Sequence, residues 1–139
     1  MKDLEKAVQL FQDGEHSMVA VKNDKQWVTN GRGIKPLYQL VTGKPAFADG
    51  ASIADKVIGK AAALLAVYGG IKAIYAELTT TTAHQVCERY GITLKYKKKV
   101  EAIENRDRTG LCPMEQLAKG ETDPAKMLGK VKQFFENKE

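Results

Sequence analysis

The chain has 139 residues, 43% of them hydrophobic, which is the size and composition of one domain (1–139) around a single core. Two cysteines and two histidines are too few for a cysteine-rich zinc site or a disulfide framework, and no run approaches the roughly 20 apolar residues of a membrane span. The net charge of +5 is modest and gathers in Lys95–Lys99 and the C-terminal segment, so nucleic-acid binding is disfavoured, and a cytoplasmic protein with no membrane partner is expected.

Along the chain, Leu4, Ala7, Val8 and Phe11 recur at helical spacing and Gly14 follows as a stop. Ser17–Lys22 and Lys25–Asn30 read as two strands of a hairpin turning at Asn23 and Asp24. Gly31, Arg32 and Gly33 break the pattern, and a short helix follows over Ile34, Leu37, Leu40 and Val41. Phe47–Ser52 reads as the end of a weak strand plus a turn. Ser52–Asp55 has the form of a capping box, which would start a helix running through about Tyr68, apolar almost all round and so central to the domain.

Ile71–Leu78 is a short apolar run ending in Thr79–Thr82, as expected of a buried strand feeding a helix. That helix carries Ala83, Val86, Cys87 and Tyr90 and closes at Gly91. Thr93–Ile103 alternates, with Leu94, Tyr96 and Val100 opposite Lys95, Lys97 and Lys99, a lysine pattern that guards an exposed strand edge. Pro113 fits the first position of a short helix capped by Cys112. Asp123 and Pro124 open a last one with Met127, Leu128, Val131, Phe134 and Phe135 on its buried stripe. This order predicts an α/β fold, a three-layer α/β/α sandwich with a mixed sheet. Ligands of such sheets sit at the carboxyl ends of the strands, here near Asp49–Lys60, Thr79–Thr82 and Arg106–Glu115.

The segments Gly31–Tyr38 (GRGIKPLY), Ala54–Leu65 (ADKVIGKAAALL) and Thr109–Leu117 (TGLCPMEQL), set on this element order, resemble a family of uncharacterised prokaryotic proteins of cytidine deaminase-like fold. Zinc deaminases of that fold carry a His-Ala-Glu motif on the central helix and Pro-Cys-x-x-Cys at the next helix start. The resemblance places the first motif on Lys60, Ala61 and Ala62 and the second on Thr79–Ala83, so it implies neither a zinc ion nor another cofactor.

Several residues remain as candidates. Lys60 is the lone charge in the apolar run Val57–Val67, either a lysine snorkelling at a helix edge or an ammonium lining a pocket for an anion. Thr80 and Thr81 read as a helix cap, and also as part of an anion site facing Lys60. Cys112 is a loop thiol that Arg106, Arg108 and a helix start could turn into a nucleophile, with Glu115 or His84 moving protons. Asp55 and Asp107 are polar partners, and Arg32 between two glycines can reach an anion.

The function expected is binding of a small anionic, nucleotide-like molecule, with thiol-dependent hydrolase or transferase chemistry through Cys112, Glu115 and Lys60. The alternative is a non-catalytic ligand-binding or regulatory module on the same scaffold. Apolar surface around Trp27 raises a homodimer.

Overall fold

A computed structural model describes residues 2–102 and 112–137. The elements run α1 (Lys2–Asp13), β1 (Met18–Lys22), β2 (Lys25–Thr29), α2 (Lys35–Gly43), α3 (Pro45–Ala48), β3 (Ser52–Ile58), α4 (Lys60–Gly69), β4 (Ala73–Thr80), α5 (Thr81–Tyr90), β5 (Thr93–Val100), α6 (Pro113–Ala118) and α7 (Pro124–Asn137). The five strands form one mixed sheet ordered β2-β1-β3-β4-β5. β1 pairs antiparallel with both β2 and β3, while β3-β4 and β4-β5 are parallel. Helices α4 and α5 make the two crossovers that parallel pairing requires.

Period-two alternation distributes the strand residues between two cores. Met18, Ala20, Ile53, Ile74 and Ala76 face the larger one, with α2, α4, α5, α6 and α7; Val19, Val21 and Ala54 meet Ala7 and Phe11 of α1 on the other face. The sandwich of three layers predicted from the element order is thus present. Ala61–Ala66 of α4 are all buried, as its nearly uniform apolarity demands. Leu64 and Leu65 alone each contribute about 1.5–3 kcal/mol by burial. Small residues allow the close approach to α2: a Cβ added at Gly69 would run into Val41 Cγ1.

Two sequence-based expectations fail here. Ser52–Asp55 is not a capping box. It is the first half of β3, whose residues Ser52, Ile53, Ala54 and Asp55 are buried between β1 and β4, and the helix begins only at Lys60. This part of a middle strand is covered on both faces, so it shows no period-two alternation and merges with the apolar helix that follows. The second failure precedes it: Phe47 and Ala48 end the short helix α3, and Asp49–Ala51 turn into β3. The predicted strand Thr93–Ile103 ends at Val100, with Ile103 outside the described residues. The hairpin holds as predicted, with Asn23 at φ 57° supplying the left-handed turn residue.

Candidate functional site

Because β1 is antiparallel to β3, the start of β1, the end of β2 and the carboxyl ends of β3, β4 and β5 lie at one end of the sheet, together with the starts of α4 and α5. Most of the candidate residues gather there.

Asp55 lies on β3, the middle strand, paired in register with Met18 and Ala76. Its side chain is 8% exposed, and among the described residues no ion pair joins it to a cation. One carboxylate oxygen accepts a hydrogen bond from the backbone amide of Lys56 at 2.6 Å. Burial pushes the carboxyl up from 3.8 to about 7, outweighing the opposing pull of the Lys56 and Val57 amides and the Lys56 charge. A groove of about 330 Å³ opens on this carboxyl, lined also by Ser17, Asn30, Arg32, Lys56 and Val57.

The Gly-Arg-Gly break forms the other wall of the groove. Gly33 has φ 61°, a left-handed conformation that suits glycine, and a Cβ on Gly31 would meet Pro36 at 3.0 Å. The Gly31 amide donates to Thr29 Oγ1 at 3.2 Å, and Ser17 Oγ donates to the Thr29 carbonyl at 3.0 Å. The loop is therefore tied to the strand ends while Arg32 projects exposed from it. Arg32 and Asp55 were separate candidates in the sequence, and the fold brings them to one groove. Ser17, Asn30 and Lys56 were missed; the only local signal was the Asn-Gly-Arg-Gly break itself.

Lys60 is the first residue of α4 and half-buried, not the mid-helix lysine of the sequence reading. Its backbone amide donates to Glu115 Oε1 at 3.3 Å, a long hydrogen bond that joins the start of α4 to α6. Gly59, at the N-cap position of α4, has no side chain to do this, so a carboxylate 55 positions away caps the helix. Glu115 is 9% exposed. Cys112 is half-buried at the start of α6, as predicted, with its carbonyl accepting from the Gln116 amide and no side-chain cap bond. Asp107, Arg106 and Arg108 lie outside the described residues.

The threonines are engaged. Thr79 Oγ1 donates to the Ile58 carbonyl at 2.7 Å, pinning the end of β4 to β3. Thr80 Oγ1 accepts from the Ala83 amide at 3.1 Å and lies 3.2 Å from Thr82 Oγ1, the cap that the sequence predicted. Thr81, half-buried, donates to Glu101 at 3.4 Å. His84 Nδ1 is 3.2 Å from Lys99 Nζ, with the Glu88 carboxylate 3.9 Å from its other ring nitrogen and Tyr96 against its ring. Cys87 is core, and burial pushes its thiol up to about 11. Among the described residues no three His, Cys, Asp or Glu side chains are grouped to hold a metal ion, and no helix is long and apolar enough to cross a membrane.

Comparison with solved structures finds the same fold in the DUF1893 family protein TM1506 of Thermotoga maritima, with a TM-score of 0.83 over 95% of this chain and 89% of that one, at 24% identity. No curated protein matches the chain. The family model for TM1506, a domain of unknown function (DUF1893), matches residues 6–135, nearly the whole length. The chain therefore belongs to the DUF1893 family.

Proposed function

We propose that this protein binds a small anionic, nucleotide-like molecule at the carboxyl end of β3, with Arg32 taking the anion and Asp55 hydrogen-bonding the ligand's polar edge. The observation that carries the reading is the Asp55 carboxyl: it is buried on the middle strand, lacks an ion-pair partner among the described residues, and opens onto the groove that Arg32 overhangs. Burying such a group costs stability, and folds retain that cost where a site needs it. A carboxyl that titrates near neutrality donates when protonated and accepts when ionised, so it matches the adjacent donor and acceptor of an amide or amidine edge. An exposed guanidinium on a loop anchored at Thr29 suits a phosphate or carboxylate.

Lys60 adds a second cation at the same end of the sheet, and the deaminase-like reading of the fold belongs to this proposal, with zinc chemistry left out of it. Glu115 is committed to the α4 amide and the Thr80 hydroxyl to its own helix, so binding is better supported than thiol-dependent transfer. Thr81 is not among the described residues that line the groove, and Asp107 lies outside the described residues.

Amide chemical shifts of the labelled protein, followed during titration with cytidine monophosphate, ribose 5-phosphate and inorganic phosphate, test the reading. Saturable shifts for the nucleotide at Ser17, Gly31, Gly33 and Val57, weakened at least tenfold by Arg32→Ala, are expected. No saturation below about 10 mM, or shifts confined to another region, would remove it.

A further inference from the structure

A larger groove, of about 830 Å³, lies at the opposite end of the sheet, between the β1–β2 hairpin and the α2–α3 corner. Two rings line it: Trp27 from β2 and Phe47 from α3, each half-buried and packed against the main core on one side. Lys22, Lys25 and Lys44 accompany them, with Asp24 the one carboxylate among the described lining residues. Among the described residues none of these three lysines is in an ion pair.

Both walls are held. The Lys22 ammonium donates across the groove to the Ala46 carbonyl at 2.9 Å, and the hairpin turn is tied to α1 where the Asn23 amide donates to Asp3 at 3.1 Å. The volume falls within the roughly 300–1,000 Å³ of small-molecule sites, which combine apolar walls with a few polar groups that orient the ligand. Two aromatic side chains among lysines that outnumber the carboxylate complement a planar ring that carries a negative group.

We infer that the hairpin groove is a binding site for a small aromatic anion, a planar ring bearing a carboxylate or a phosphate, seated against Trp27 and Phe47 with Lys25 and Lys44 at its charge. The site is independent of the Asp55 groove, and its chemistry is shared by aromatic acids and by nucleotides.

Trp27 is the single tryptophan of the chain, so its emission reports occupancy directly. Emission excited at the red edge of the indole band is followed during titration with benzoate, adenosine monophosphate, adenosine and inorganic phosphate. A saturable change with benzoate or with adenosine monophosphate is expected, the responding probe naming the source of the ring, and neither adenosine nor phosphate should reproduce it. The double variant Lys25→Ala/Lys44→Ala, altered only at exposed positions, should weaken the response about three- to tenfold, the modest loss that two exposed charges allow.

Three results would overturn the inference. One is no saturation below about 10 mM, weaker than any millimolar site. Another is a response that survives the lysine variant and disappears in Arg32→Ala, which assigns binding to the other end of the sheet. The last is emission that follows protein concentration and ignores both anions, which makes a second copy of the chain the occupant.

Discussion

The two parallel crossovers begin with junctions of equivalent topology and opposite construction. Where β4 enters α5, everything needed is adjacent in sequence: Thr79 bonds the end of β3, and Thr80 caps the helix through the Ala83 amide. Where β3 enters α4, Gly59 offers no cap, Glu115 supplies one from another helix, and Asp55 sits buried without an ion pair among the described residues. A junction that satisfies itself locally has little left over for a ligand. A junction that leaves a carboxyl unpaired and depends on a distant element is where binding is to be sought.

The largest effect expected from this contrast is at Asp55. Its folded-state value of about 7 stands above 3.8, so the fold favours the neutral acid; that contribution is full below about pH 3.8 and is lost as pH rises through 7. Asp55→Asn, which is neutral at every pH, should therefore gain about 2–4 kcal/mol over the parent at pH 8, with the gain shrinking steadily toward pH 4. Urea denaturation at the two pH values checks it, and a pH-independent difference would show that burial of the charge is not the cause.

Glu115→Ala should cost about 1–2 kcal/mol, because it strips α4 of its cap and leaves the Lys60 amide without its partner. Thr80→Ala should cost about 1 kcal/mol, with Thr80→Ser recovering most of it, since only the hydroxyl is needed. Urea midpoints of the three variants settle the order. A Thr80 loss exceeding that of Glu115 would reverse the contrast between the junctions.

The same contrast explains what was legible in the sequence. The hairpin turn at Asn23 and Asp24, the Thr80 cap, the Cys112–Pro113 helix start and the stop at Gly91 are local chemistry, and all were readable within a few residues. β3 was not, because Ser52–Asp55 are buried on both faces without alternation and carry Ser and Asp in the spacing of a helix start, and Gly59 is a faint break before the apolar α4. Asp55 is a polar-partner candidate in the sequence, but the capping role also given to it there fails, because it lies in β3. Its meeting with Arg32 follows from the antiparallel register of β1 on β3, which no spacing within either segment encodes. Glu115 was chosen as a proton carrier, and its bond to the Lys60 amide is a tertiary fact.

The lysines of β5 have a further consequence for how copies of this chain meet. Lys95, Lys97, Lys98 and Lys99 crowd one exposed strand at the border of the sheet, paired to β4 on one side. Two such strands brought together antiparallel would set lysine against lysine in nearly any alignment, and like charges directly opposite repel. Extension of the sheet through this border is therefore disfavoured in a crowded solution, each opposed lysine pair adding a repulsion that only salt relieves.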